Sequence, residues 1–357
     1  MTDLAFYAPM KAPGHPVPSG DRAMARGILS ALEVAGYRPA VVSALRSREP
    51  SGNAAAQQRL FAEARDEITR LTASDQAQTW RAWITYHNYY KAPDLIGPAV
   101  SRALGIPYLL IEATRARSRL TGSWSAFARA AEDASDTAVV IFYLTEHDAI
   151  TLADLRPPAQ QLVHLRPFLA RDALPPETSG TGGMLSVGMM RQGDKLASYR
   201  IIAQTLGELR RKDWRLDIAG DGPARADVGT LMAPFGNRVR LHGALTPEKT
   251  QALMQEASLL LWPGVNEAFG MAYLEAQAAG LPVVAQDRPG VRDVLAPGAY
   301  PAPEAGAAPL AELVERLLND NGARQKAGQS ARAHIKARHL IGSAADTLAD
   351  TLNGVMT

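Results

Sequence analysis

The chain contains no cysteine. That excludes disulfides, thiolate metal sites and cysteine nucleophiles, and it fits a cytoplasmic protein. A surplus of one charge is also missing. With 38 Lys and Arg against 36 Asp and Glu, no global field selects nucleic acid or an anionic membrane. No uncharged apolar run reaches the roughly 18 residues of a spanning helix, and the opening "MTDLAFYAPMK" lacks the basic-then-apolar order of a secretory leader. A soluble, cytoplasmic chain is expected, with peripheral contact at the inner membrane face left open. No Asp-x-Asp pair occurs, so a metal held by such a pair is not expected. No Gly-x-Gly-x-x-Gly follows a strand with an acidic residue beyond it, which argues against a dinucleotide enzyme.

What is present is a regular alternation. Of the 357 residues 46% are apolar, and short apolar strands alternate with amphipathic helices from end to end. This is the pattern of βαβ units and parallel sheets, so the class is α/β. Strands are expected at 4–8, 39–44, 82–87, 107–112 and 138–144, then at "MLSVGM", "WRLDIAG", "RVRLHG", "ASLLLWP" and "LPVVAQ". Between the two sets, "RPFLARDALPPETSGTGG" (166–183) gathers Pro, Gly, Ser and Thr and loses periodicity, as a linker does. The length suits two doubly wound domains, set at 1–175 and 176–335, with a helical end (336–357) packing back on the first. Such sheets bind ligands at the C-terminal ends of their strands, and two facing domains would form a cleft there.

Four consecutive strand ends of the second half carry chemistry. "VGMMRQGDK" offers Gly188 with the cations Arg191 and Lys195, suited to neutralise a diphosphate. "IAGDGPAR" places Gly220 and Gly222 between a strand and a helix, where glycine permits a tight turn and close approach to a phosphate. "LHGAL" ends the third strand, and "WPGVNEAFG" the fourth. Apolar spacing predicts a helix over 271–279, which puts Glu267 in the loop before its N-terminus and Glu275 about one turn inside. The N–H groups of Ala268, Phe269, Gly270 and Met271 are then free to meet a hydroxyl-rich or anionic ligand.

These motifs, in this order over about 184–320, resemble the donor domain of the family 4 glycosyltransferases. "EAFGMAYLEAQAAGLPVVA" matches that family's Glu-x7-Glu signature with its flanking Phe-Gly and Ala-Gly-x-Pro-Val. The resemblance implies the GT-B architecture, two Rossmann-like domains facing across a cleft, and sugar transfer from a nucleotide-sugar with retention. It implies that Glu275 holds the ribose hydroxyls, that Glu267 and the amides of Phe269, Gly270 and Met271 hold the sugar, and that Lys195 meets the diphosphate. No protein nucleophile, cofactor or metal is required. The family's Arg after the first-loop glycine is Met189 here, and Arg191 is the nearby substitute.

The first half resembles the family only in its opening strand and "YAPMKAPGHPVPSGDRAMARGI", where Ser19 is placed to cap a helix. Ser19, Gly20 and Asp21 are acceptor-side candidates, with His87 at the end of the 82–87 strand. At the end of the next strand the family often has histidine, and here "IEATRARSR" puts Glu112 and Arg115. The arginines of that loop suit a phosphorylated or anionic-lipid-linked acceptor. The acceptor itself, whether glycan, lipid or small molecule, is open. Two rival readings are a nucleotide-sugar 2-epimerase on the same scaffold and a non-catalytic two-lobed binding protein, the latter disfavoured by the missing leader.

Overall fold

The computed structural model describes residues 1–16 and 19–356. It has two parallel sheets, one in each of two units. The first unit takes Met1–Ala170 together with the chain from Ile341 onward, and the second takes Arg171–Leu340. The divisions therefore fall at 170/171 and 340/341, where composition alone suggested 175/176 and 335/336.

In the first unit the strands are β1 (Thr2–Tyr7), β2 (Tyr37–Val41), β3 (Trp80–Asn88), β4 (Tyr108–Ala113), β5 (Val140–Tyr143) and β6 (Gln161–His164), in the order β2-β1-β3-β4-β5-β6. β1, β3, β4 and β5 are almost wholly buried. Helices cover both faces of such a sheet, which is why these segments read as apolar runs without alternation. The expected 39–44 strand lies earlier, at 37–41, and is an edge strand. An edge tolerates Pro39, which has no N–H to give to a ladder. β6 was not expected from the sequence: "QLVH" is too short and too polar for periodicity to single it out.

Ser19 caps the helix Gly20–Val34, its hydroxyl accepting from Arg22 N at 3.3 Å. Met24, Ile28, Ala31 and Leu32 fall on that helix's buried face at helical spacing. The helical run near the C-terminus, expected as one segment, is two helices, Asn321–Arg338 and Ile341–Val355, broken at the fully buried His339. The break hands the last helix to the first unit. There it packs on Gly20–Val34, and the Tyr37 hydroxyl donates to Asn353 Oδ1 at 3.0 Å.

The second unit has β7 (Met184–Val187), β8 (Leu216–Ala219), β9 (Val239–Gly243), β10 (Leu259–Leu261) and β11 (Val283–Val284), in the order β11-β10-β7-β8-β9. Strand order reverses between β7 and β10, and in the first unit between β1 and β3. Loops leaving paired strands at such a reversal diverge to opposite faces of the sheet and open a crevice at the strands' carboxyl ends.

Candidate functional site

In the second unit the two loops at that reversal follow β7 and β10. The first leads through Gly193 into the helix Asp194–Glu208. Asp194 in its first turn suits the positive end of the helix dipole, whereas Lys195 beside it does not, so a partner is needed to hold a cation there. That partner is Glu267. Lys195 Nζ bonds Glu267 Oε1, and the same oxygen accepts from Trp262 Nε1 at 2.9 Å. The ammonium also lies 5.5 Å from the centre of the Trp262 ring, within cation–π range. The side chains of Lys195 and Glu267 retain 25% and 12% exposure, so the pair is reachable from solvent.

The β10 loop is fastened from several directions. Val265 N donates to Ser198 Oγ at 3.0 Å, and Asn266 Nδ2 donates to Asp194 Oδ2 at 2.8 Å. Asn266 stands at φ 50°, a left-handed conformation that asparagine tolerates better than most residues. Gly290 presses on the same loop at φ 78°, and a Cβ there would lie 1.8 Å from Ala268 O. Glu267 is thus aimed by a tethered backbone. Beyond it the helix Met271–Ala278 begins at Gly270, which has φ 82° and no side-chain cap. Tyr273 N is the first amide of that helix to find a backbone acceptor, Gly270 O at 3.0 Å, and among the described residues none is recorded for Gly270, Met271 or Ala272. These orphan donors sit directly beyond Glu267 in the chain.

The neighbouring strand ends are stitched together by backbone. Gly188 N donates to Ala219 O at 3.0 Å, Gly220 N to Gly243 O at 2.9 Å, and Met190 N to Asp221 O at 2.9 Å. Gly220, at φ 157°, passes so close that a Cβ would fall 1.9 Å from Gly188 O. Gly222 continues this turn, and Ala224 N closes on Met190 O at 2.9 Å. Arg191 is exposed with no ion pair among the described residues, and Met189 is 37% exposed. Glu275 faces solvent from the helix Met271–Ala278. The protein around it pushes its pKa up, with Arg171 pulling it down.

In the first unit, His87 lies near the end of β3 and Glu112 near the end of β4, and both have positive φ, 70° and 61°. With Asn266 these are the only described non-glycine residues with positive φ; His87 and Glu112 are the penultimate residues of their strands, and Asn266 lies in the loop after β10. Such strain persists only where surrounding structure imposes it, and it concentrates at functional positions. His87 Nδ1 lies 3.6 Å from Glu112 Oε2. Burial raises the Glu112 pKa, His87 counteracts this, and the charges of Asp148 and Asp21 add to the rise. Asp21, in the helix turn that Ser19 and Gly20 begin, thereby belongs to the same neighbourhood. Tyr89 is held there as well. Its ring lies 4.9 Å from that of His87, and Arg48 opposes the burial that raises its pKa.

One expectation needs correction. Arg115 is not available to an acceptor: its guanidinium reaches Glu132 Oε2 and Asp136 Oδ1, each at 2.7 Å, with its side chain only 2% exposed. Helix Ser125–Thr137 supplies both carboxylates, so the residue fastens the β4 loop to that helix. Lys195, expected to meet a diphosphate, is paired with Glu267 here, a partner the sequence did not point to. Trp262, Asp194, Ser198 and Asn266 were not singled out from the sequence, although Trp262 sits at a strand end where the search was directed. Arg48 and Tyr89 carried no motif. Among the described residues no three His, Asp or Glu side chains group as metal ligands, and no helix is long and apolar enough to cross a membrane.

The chain is similar in sequence and in fold to known proteins. Residues 196–334 match the family described as glycosyl transferases group 1. The chain is 31% identical over 160 residues to an alpha-D-kanosaminyltransferase of Streptomyces kanamyceticus, covering 44% of this chain and 42% of that protein. It is 28% identical over 256 residues to a 2-deoxystreptamine glucosyltransferase of the same organism, covering 63% and 65%. The matched region spans less than two thirds of either relative. Among solved structures, sucrose-phosphate synthase from Thermosynechococcus elongatus superposes with a TM-score of 0.73 at 15% identity, covering 99% of each chain. HepE of Anabaena, in complex with UDP-glucose, gives 0.67 at 13% identity, covering 98% of this chain and 99% of that one. The fold is GT-B, two Rossmann-like units, and the glycosyltransferase family match lies on the second of them.

Proposed function

We propose that the protein is a glycosyltransferase that moves a sugar from a nucleotide-sugar to an acceptor, and that its second unit binds the donor. The observation that carries this reading is the meeting of Lys195, Glu267 and Trp262 where the β7 and β10 loops part, beside the unpaired amides that open the helix Met271–Ala278. A diphosphate needs cations and amide donors, a sugar needs carboxylates and amides, and this site supplies both within one crevice. Lys195, with Arg191 and amides near Gly188 and Gly222, would stabilise charge as the diphosphate departs. Glu267 and the amides of Phe269, Gly270 and Met271 would position the sugar, and Glu275 the ribose. The transferase activities for which the relatives are named and the UDP-glucose bound to HepE support this class of donor.

Retention of configuration, membership of family 4 and independence from metal follow the resemblance of the Glu-x7-Glu segment and belong to this proposal. In the retaining transfer that the resemblance implies, no protein nucleophile is required, and none is assigned. The first unit would take the acceptor near Ser19, Gly20, Asp21, His87 and Glu112. Thermal shift with UDP, GDP, ADP and dTDP tests the donor site, because a ligand selective for the native state raises the midpoint. At least one should raise it, and failure of all four would overturn the reading. Incubation with the matching donor alone tests for 2-epimerisation, expected to be absent. Turnover in excess chelator should persist, and loss restored by Mg²⁺ would overturn metal independence.

A further inference from the structure

We infer that the Lys195–Glu267 ion pair is an internal competitor of the leaving nucleotide, opened by the intact donor and re-formed to expel the nucleoside diphosphate. The inference rests on the donor-site reading and adds to it an order of events. Lys195 can serve the diphosphate fully only by loosening its bond to Glu267, because one ammonium shares its donors among all its partners. Glu267 then keeps Trp262 Nε1 as a neighbour but loses its cation in a largely buried place, where an unpaired charge is costly.

The nature of the ligand decides whether that loss is made good. An intact nucleotide-sugar brings hydroxyl donors to Glu267 while its diphosphate takes Lys195, so both charges stay satisfied. The product nucleoside diphosphate has no sugar. It can engage Lys195 only by leaving Glu267 without its cation and with Trp262 Nε1 as the donor it keeps, and so it pits itself against the carboxylate. The tethers keep the carboxylate in place for this contest. Asn266 is tied to Asp194 on the same helix turn as Lys195, and Val265 to Ser198 one turn on, so the backbone that carries Glu267 is held beside Lys195, and Trp262 Nε1 orients the carboxylate. Sugar departure thus weakens the hold on the product, and the protein discriminates donor from product at a point remote from the base and ribose.

The experiment is calorimetric binding of the nucleoside diphosphate that stabilises the wild type, and of its nucleotide-sugar, to the full chain and three variants. Glu267→Gln keeps an acceptor for Trp262 Nε1 but removes the charge. It should bind the nucleoside diphosphate roughly tenfold more tightly than wild type and narrow the preference for intact donor over product. Lys195→Ala should bind the diphosphate more weakly than wild type, and adding Glu267→Gln to it should bring no gain, because the competitor then has no cation to reclaim. Should Glu267→Gln not fold, Glu267→Ser serves the same comparison. Unchanged or weaker diphosphate binding by the Glu267 variant overturns the inference while leaving the donor site standing. Wild-type protein that binds none of UDP, GDP, ADP or dTDP overturns the donor-site reading and this inference together.

Discussion

The strand-end site of the second unit and its counterpart in the first use charge in opposite ways. Around Lys195, opposite charges meet in a partly open crevice, and each is a group that a ligand could exchange for one of its own. Around Arg115 the cation is enclosed and shared by Glu132 and Asp136. Both looked alike as sequence, a basic residue in a loop just after a strand. The difference teaches that a strand-end cation is functional or structural according to what the following helix presents to it. Helix Ser125–Thr137 presents two carboxylates to Arg115. Helix Asp194–Glu208 carries Lys195 itself, so its partner has to come from another loop.

The comparison can be broken most forcefully at Arg115. Arg115→Ala removes a buried cation from two carboxylates and should cost about 3 kcal/mol, read as a lower midpoint in thermal or urea unfolding. Nucleotide binding by the folded fraction should be unchanged. Wild-type stability in this variant would return Arg115 to the acceptor side. Next in size, Lys195→Ala should weaken nucleoside diphosphate binding by about 1.5–3 kcal/mol, since a charge-assisted bond to phosphate is lost, and it should also lower the unfolding midpoint, since Glu267, 12% exposed, is left without its cation. Glu275→Gln should weaken the same ligand by about 1–2 kcal/mol if the carboxylate accepts from ribose hydroxyls.

The smallest effect concerns Glu112. Its folded-state pKa is raised above the unfolded value, so the folded state binds the proton more tightly. The stability associated with this is present below the unfolded pKa and is lost as pH rises through the folded one. Glu112→Gln should therefore match or exceed wild type at pH 7 by up to about 1 kcal/mol, and the gap should close near pH 4. A variant less stable at pH 7 would mean that the bond to His87 outweighs burial, and would set the first unit's pair beside that of the second as a true ion pair.

Much of this molecule was legible in one dimension. Apolar runs between Gly- and Pro-bearing turns placed most of the strands, because strands covered on both faces must be apolar at every position. Gly220, Gly270 and the run Glu267 to Glu275 pointed to the crevice flanked by the β7 and β10 loops, since turn geometry and helix starts depend on adjacent residues. The edges of the pattern were less legible. β6 had too little apolar signal, and the helix broken at His339 gave no glycine or proline to mark its end.

The sequence by itself determined the α/β class, the succession of strand-end loops and the residues at which a ligand would be sought. These depend on periodicity and local backbone freedom, which neighbouring residues settle among themselves. Only the tertiary structure decided that β7 lies beside β10 and β1 beside β3, and so which two loops flank each crevice. It also decided that Arg115 is spent on a helix, that Lys195 meets Glu267, and that His87 and Glu112 share one strained corner. Those outcomes depend on the order of strands in a sheet and on side chains far apart in the chain competing for the same partners, and no local pattern encodes that competition.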